Sequence, residues 1–122
     1  MRLLILGAAA LLLSGAAPKS ETAGGIAELA GRTAGPPQKC ITFEQSESMR
    51  VARSNALIYG HGRTIYLNSA PGCSGFKSSD VLILQPIGSR YCRGDFVRSR
   101  DNISGLPGAG CRIGDFIPYT RN

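Results

Sequence analysis

The sequence has few of the residues that enzymes use for acid–base chemistry, since it contains a single histidine, His61, in 122 residues. General acid–base catalysis and Ser-His-Asp catalysis both usually recruit a histidine. His61 stands between two glycines in a segment typical of a hairpin turn. The chain also lacks a Gly-x-Ser-x-Gly nucleophile motif. We therefore expect a protein that is not an enzyme, with His61 as a solvated turn residue.

Metal-binding patterns are also missing. No Cys-x-x-Cys pair occurs, which argues against a zinc site. The aspartates of the domain are spread along the chain without the spacing of a calcium loop. We expect no metal and no cofactor.

Long apolar runs are absent except at the N-terminus. Met1-Arg2 is followed by an uncharged apolar run over 3–13 and by small residues over 14–17. This order is typical of a secretory signal peptide, and the run is about half the length of a membrane span. We expect cleavage after Ala17, with Ala16 as the near alternative. The other interpretation is a short buried helix at the edge of the domain.

The product of that cleavage would be small, basic and unanchored. A bacterial lipoprotein needs a cysteine after a box such as Leu13-Ser14-Gly15, and Ala16 stands there instead. Cleavage would remove only Arg2 of the 14 basic residues, so 13 would face 8 acidic ones, a net charge of +5. We expect a soluble periplasmic or secreted protein of one domain, with no transmembrane segment in its mature form.

The chain divides into a leader and a β domain. Residues 18–38 are rich in Ala, Gly, Pro and Thr and hold two large apolar residues, so we interpret them as a flexible leader. Residues 39–122 are predicted to form a single domain that is mainly β. Its architecture would be a small disulfide-stapled antiparallel barrel or sandwich of about six or seven short strands after a disordered leader. The predicted strands are 40–43, 49–53, 56–59, 64–67, 81–85, 95–100 and 111–119.

Three of these strands carry specific expectations. The strands 56–59 and 64–67 flank Gly60-His61-Gly62-Arg63 and predict a hairpin. The strand 81–85 is apolar on both faces, which favours a central position with both sides covered. Residues 102–110 are predicted to be a loop.

Four cysteines, Cys40, Cys73, Cys92 and Cys111, indicate a disulfide framework in an exported chain of this size. Three pairings are possible, and sequence alone does not decide among them. We favour Cys73–Cys92, which closes the segment around strand 81–85, with Cys40–Cys111, which joins the first and last strands. Such loops would contribute about 3 and about 4 kcal/mol in the chain-entropy treatment.

Several sequence blocks resemble a known group of proteins. They are Cys40-Ile41, the hairpin over 57–66, the block over 71–76, Tyr91-Cys92-Arg93-Gly94-Asp95 and the block over 111–118. In this order they resemble a family of small exported proteobacterial four-cysteine proteins of unknown function, many of them lipoproteins. The resemblance spans about residues 39–119 and implies no activity, ligand or catalytic residue.

A repeated pattern links two of the cysteines, because Cys92 and Cys111 each precede an arginine and then Gly-Asp-Phe. We interpret the repeat as a shared local structure in which Asp95 and Asp115 each bond nearby backbone N–H groups and a buried Phe leads a strand. The alternatives are a duplicated binding site, or a carboxylate pair for glycoside cleavage.

Arginines concentrate near the C-terminus. The candidate anion-binding residues are Arg90, Arg93, Arg98, Arg100 and Arg112. On neighbouring strands they would form a cationic face, and guanidinium groups bind carboxylate and phosphate in bidentate fashion. Anionic lipid, lipopolysaccharide or acidic polysaccharide would be the partners in an envelope compartment, and nucleic acid is not expected. The simpler interpretation is that the positive charge only maintains solubility.

A second function of another class stays open. The domain could be a small periplasmic inhibitor or accessory protein that binds a protein partner. A partner captured in stoichiometric amount at high salt would favour it over anion binding, which must weaken as salt screens the charges.

Overall fold

The protein is mainly β in its computed structural model, which describes residues 25–70 and 74–122. These ranges contain ten short strands, all paired antiparallel, and two 3₁₀ turns at Ala27–Leu29 and Glu44–Ser46. The strands are β1 (Arg32–Ala34), β2 (Cys40–Ile41), β3 (Arg50–Arg53), β4 (Ala56–Tyr59), β5 (Thr64–Ser69), β6 (Val81–Gln85), β7 (Tyr91–Cys92), β8 (Phe96–Arg100), β9 (Pro107–Arg112) and β10 (Phe116–Arg121). The predicted signal peptide, residues 1–17, lies outside the described residues, as do residues 18–24 and Cys73.

Three sheets make up the fold. A five-stranded sheet has the order β1-β10-β5-β4-β3, a three-stranded sheet the order β6-β8-β9, and β2 pairs with β7. The prediction of a mainly β, antiparallel, disulfide-stapled domain is confirmed, with more strands than expected because several are only two or three residues long. No helix within the described residues is long and apolar enough to cross a bilayer.

The predicted hairpin is present as β4 and β5, with Tyr59 opposite Tyr66. Gly60 and Gly62 in its turn both have positive φ, which is the conformation that glycine adopts at no steric cost. A Cβ atom on Gly60 would also lie 2.8 Å from the carbonyl oxygen of Gln45. Both glycines therefore set the turn, and Gly60 also permits the close approach of the 3₁₀ turn Glu44–Ser46.

The five-stranded sheet is covered on both faces. Because side chains alternate along a strand, Leu57 and Tyr59 of β4 enter one apolar cluster and Ile58 enters another. The first cluster lies between this sheet and the other strands and includes Phe116 and Val97. β4, β5 and β10 therefore each contribute side chains to both clusters, and β5 is the middle strand of the sheet.

The second cluster is closed by the segment that precedes the predicted domain. Ile26 and Leu29 are buried against Ile58, Ile65, Leu67 and Tyr119. β1 then pairs with β10 and forms an edge of the sheet. The interpretation of residues 18–38 as a flexible leader is therefore wrong from Ile26 onward, and the boundary at residue 39 is too late. Two large apolar side chains suffice because each gains about 1.5–3 kcal/mol on burial against an apolar sheet face.

The strand expected at the centre is an edge strand. β6 pairs only with β8 among the described strands, and Val81 and Ile83 are 47% and 38% exposed. Leu82 and Leu84, which alternate with them, pack against the first cluster. The prediction of a central strand is wrong because an apolar run does not reveal whether a second strand covers its outer edge.

The disulfide pairing also differs from the one we favoured. Cys40 and Cys92 form a disulfide, since β2 and β7 place them directly opposite each other. The pairings Cys73–Cys92 and Cys40–Cys111 are therefore both wrong. Cys111 is also disulfide-bonded, and its partner is neither Cys40 nor Cys92.

The predicted final strand 111–119 is two strands. β9 begins at Pro107, inside the predicted loop, and the chain passes from the three-stranded to the five-stranded sheet at 113–115. The fully buried Asn68 supports this crossing, because its Nδ2 donates to the carbonyl of Gly114 at 2.8 Å and its Oδ1 accepts from the Gly114 N–H at 2.9 Å. One carboxamide thus satisfies both backbone groups of Gly114.

Candidate anion-binding face

The exposed side of the three-stranded sheet is the strongest candidate for a functional surface. Pairing register places three rows of residues on it. We call it the outer face, and it consists of Val81, Ile83, Gln85, Phe96, Arg98, Arg100, Gly110 and Arg112. Its opposite side packs into the first apolar cluster.

Three of the five predicted arginines share this face. Arg98 and Arg100 alternate with the buried Val97 and Ser99 along β8, so their side chains point away from the core. Arg112 lies opposite Phe96 on the adjacent strand β9. The expected convergence of arginines therefore holds for Arg98, Arg100 and Arg112.

The other two arginines are placed differently. Arg93, in the turn between β7 and β8, lies 3.6 Å from a carboxylate oxygen of Asp115. Arg90 is exposed in the turn before β7, outside the strands of the outer face. Neither residue belongs to the rows that carry Arg98 and Arg100.

The arginines of the outer face differ in how firmly they are held. Arg112 donates to the carbonyl of Gly94 at 2.8 Å. The Cζ atom of Arg98 lies 5.3 Å from the ring centroid of Phe96, a distance at which a cation–π attraction operates. In the described part of the chain, no carboxylate lies within 4.0 Å of Arg98 or Arg100. These two charges are therefore available to an external anion.

Glycines open a shallow depression beside Arg98. It has a volume of about 190 Å³ and is lined by Phe96, Arg98, Ser99, Pro107, Gly108 and Gly110. A Cβ on Gly108 would lie 2.6 Å from the Ser99 hydroxyl, and one on Gly110 would lie 3.2 Å from the Phe96 ring. Larger residues would therefore clash with Ser99 and Phe96 at these two positions of β9. The absence of side chains there leaves the depression open beside the guanidinium of Arg98.

Apolar side chains lie among these charges, and this part of the site was missed from the sequence. Val81 is opposite Arg100 and Ile83 is opposite Arg98 in the pairing of β6 with β8. The alternation over residues 96–100 could have indicated an exposed face of β8. The apolar residues of the neighbouring β6 were missed because their apolar run predicted a strand buried on both sides.

A second depression lies beside the hairpin turn, with a volume of about 410 Å³. His61 is exposed there, as predicted, and its Nε2 lies 3.1 Å from Glu47 Oε2. The hydroxyl of Tyr66 accepts a hydrogen bond from Gln45, and the hydroxyl of Thr64 bonds that of Thr120. The hydroxyls of Tyr66 and Thr64 thus make hydrogen bonds within the fold. His61 and Glu47 remain as a solvated pair.

The two Gly-Asp-Phe blocks have different roles. Asp95 is buried and accepts a hydrogen bond from the Cys92 N–H at 2.7 Å, as expected. Asp115 instead faces Arg93, and its Oδ1 is buried without a partner among the described residues. The prediction that both aspartates bond backbone N–H groups is wrong for Asp115. The blocks pack on each other, since Gly94 donates to the carbonyl of Ile113.

One further buried group is a phenol. Burial raises the pKa of Tyr59, and the nearby Tyr91 and Asp95 raise it further.

Comparison with family models, curated proteins and solved structures finds no match to this chain.

Proposed function

We propose that this chain is an exported, non-catalytic module that binds anionic lipid through the outer face. The observation that carries the proposal is the placement of Arg98 and Arg100, without carboxylate partners in the described chain, beside the exposed Val81 and Ile83. Such a surface combines positive charge with apolar area.

Phosphate groups fit the charged part of this surface. A guanidinium presents a planar fork of donors that matches two phosphate oxygens. A basic residue near an anionic membrane contributes about 1 kcal/mol of attraction. Arg98 and Arg100 together would therefore supply about 2 kcal/mol, roughly a 30-fold increase in affinity.

The apolar part of the surface favours lipid over acidic polysaccharide. Val81 and Ile83 would gain free energy by leaving water, at about 25 cal/mol per Å². A bilayer offers acyl chains directly beneath its phosphates, whereas a polysaccharide offers few apolar groups. Lipopolysaccharide shares the chemistry of phosphate above acyl chain, so it forms a second arm of the test.

The test is vesicle sedimentation as a function of salt. The full mature domain is mixed with phosphatidylglycerol/phosphatidylcholine vesicles, with pure phosphatidylcholine vesicles and with lipopolysaccharide. We expect binding only to the anionic particles, and weaker binding as salt shortens the screening length to about 10 Å at 0.1 M. The double variant Arg98→Gln/Arg100→Gln should bind roughly 30-fold more weakly.

A matched variant controls for net charge. Arg63→Gln/Arg121→Gln removes the same charge from the β4–β5 turn and the end of β10, where both side chains donate to backbone carbonyls. It should retain most of the affinity. Equal losses in both variants, or binding that ignores salt, would refute the proposal. A single stoichiometric protein partner retained from envelope extract at high salt would favour the inhibitor or accessory function instead.

Export is part of the same proposal. The Cys40–Cys92 disulfide and the bonded state of Cys111 suit an oxidising compartment such as the periplasm or the extracellular space. Mass spectrometry of the native product should find a chain without residues 1–17 and with its cysteines oxidised. A product that retains Met1 and four free thiols would contradict it.

A further inference from the structure

The loop that joins β8 to β9 carries the most exposed large apolar side chain in the described chain. We call residues 101–106 the apolar loop. Ile103 is 97% exposed and Leu106 is 65% exposed. Single exposed apolar residues are common on protein surfaces, but here two lie within four positions of one loop.

Internal hydrogen bonds hold this loop in one shape. Asp101 Oδ1 accepts from the backbone N–H of Ile103 at 2.9 Å and of Ser104 at 2.8 Å. The N–H of Asp101 donates to the carbonyl of Leu106 at 2.9 Å, and Gly105, with a φ of +69°, donates to the carbonyl of Asp101. The loop therefore presents Ile103 and Leu106 in a preorganised geometry, which lowers the ordering cost of binding.

Two cations, Arg100 and Lys77, lie near the base of the loop, where the carboxylates of Asp80 and Asp101 each accept hydrogen bonds from backbone N–H groups. Arg100 immediately precedes it, and the pairing register places Val81 and Pro107 beside Arg100. Lys77 lies close enough to Asp101 to contribute to the lowering of its pKa. The carboxylate of Asp101 is turned into the loop, so the cations at the base are not paired with it by a direct contact.

We propose that the apolar loop inserts Ile103 and Leu106 into the acyl layer of an anionic phospholipid bilayer while Arg98 and Arg100 bind the phosphates above. This inference rests on the proposed function and specifies how the protein is oriented on its target. In a bilayer, acyl chains lie beneath the phosphate groups. A loop with apolar side chains at its tip and arginines beside it is complementary to that arrangement. The end of the sheet that carries Val81 and Arg100 then faces the membrane.

The chain contains no tryptophan. The fluorescence of a single introduced tryptophan therefore reports how deeply that position enters the bilayer, without emission from other tryptophans. Ile103→Trp is mixed with phosphatidylglycerol/phosphatidylcholine vesicles, and its emission and its quenching by doxyl-labelled lipid are recorded. His61→Trp, at an exposed turn of the five-stranded sheet, is the matched control. We expect a blue shift and quenching for the indole at position 103 and neither for the one at position 61.

A second pair of variants separates insertion from charge. Ile103→Ser/Leu106→Ser should weaken binding roughly tenfold or more through lost apolar burial and leave the salt dependence unchanged. Arg98→Gln/Arg100→Gln should reduce the salt dependence itself. Circular dichroism of each variant checks that the fold is retained.

The outcomes distinguish the two proposals. Sedimentation with the vesicles but no spectral shift at position 103 overturns insertion and leaves the proposed function standing. A blue shift at position 61 alone also overturns it, because the hairpin turn and not the apolar loop would then contact the lipid. Absence of sedimentation for wild type and variants alike overturns the proposed function together with this inference.

Discussion

Asn68 gives the sharpest test of how the two larger sheets are joined. Its carboxamide is fully buried and makes both of its hydrogen bonds to the backbone of Gly114. Asn68→Ala removes two bonds that contribute about 1 kcal/mol each and leaves the Gly114 carbonyl without this donor, at a further cost of about 1–3 kcal/mol. The Gly114 N–H keeps a bond of 3.1 Å to the carbonyl of Ser69. Together these contributions give an expected loss of about 3–5 kcal/mol in the free energy of unfolding.

Asn68→Asp sharpens the test, because its effect must depend on pH. A carboxylate at position 68 could accept a hydrogen bond from the Gly114 N–H, but its other oxygen would face the Gly114 carbonyl oxygen. Burial also disfavours the charged form. The pKa of this side chain in the folded state should therefore lie above the unfolded value of about 3.9. A protonated acid could still donate to that carbonyl. The variant should therefore be most stable below about pH 4, and its stability should fall as pH rises through the raised pKa.

Urea unfolding followed by far-ultraviolet circular dichroism at pH 4 and pH 7 measures both effects. Asn102→Ala, at an exposed position, is the matched control and should change stability by less than about 0.5 kcal/mol. The reasoning is refuted if Asn68→Ala behaves like this control, or if Asn68→Asp gains stability between pH 4 and pH 7 relative to wild type.

Two further predictions concern stability. The double variant Cys40→Ser/Cys92→Ser opens a disulfide with a sequence separation of 52 and should lose about 4 kcal/mol in the chain-entropy treatment, measured by urea unfolding; an unchanged midpoint would contradict it. Hydrogen bonds from Ser104 and Ile103 lower the pKa of Asp101 from its ordinary 3.8, so its carboxylate adds stability above about pH 4 that is lost as pH falls through the lowered pKa. Thermal unfolding of Asp101→Asn against wild type from pH 2 to pH 6 should show a difference that disappears at the acid end, and a difference independent of pH would count against this account.

Local chemistry made some elements of the fold predictable. Gly60 and Gly62 flank a turn between two segments rich in β-forming residues, and these signals act over a few residues. The exposed position of His61 follows from the same turn. The mainly β class was predictable because short segments rich in β-forming residues recur along the domain.

The rest depended on contacts between distant segments. Ile26 and Leu29 are buried only because the five-stranded sheet offers them an apolar face, and β6 is an edge only because nothing pairs beyond it among the described strands. The Cys40–Cys92 pairing follows from the register of β2 with β7, which cysteine spacing does not encode.

The sequence predicted the arginines of the candidate site but not the apolar residues that lie among them. Arg98 and Arg100 were identified as anion-binding candidates because arginines concentrate in this part of the chain. Arg93 was not distinguishable from them, since its partner Asp115 is 22 residues away. The apolar residues of the outer face were assigned to the interior because their alternation with Leu82 and Leu84 was not separable from a buried run.

The packing of Ile26 and Leu29 sets a limit on maturation of the chain. A peptidase that removed residues 26–29 would take away Ile26 and Leu29, which cover one face of the five-stranded sheet, and would expose Ile58, Ile65 and Leu67 to water. The predicted cleavage after Ala17 would leave eight residues before Ile26. A product shortened in this way would expose an apolar surface, and we expect it to self-associate.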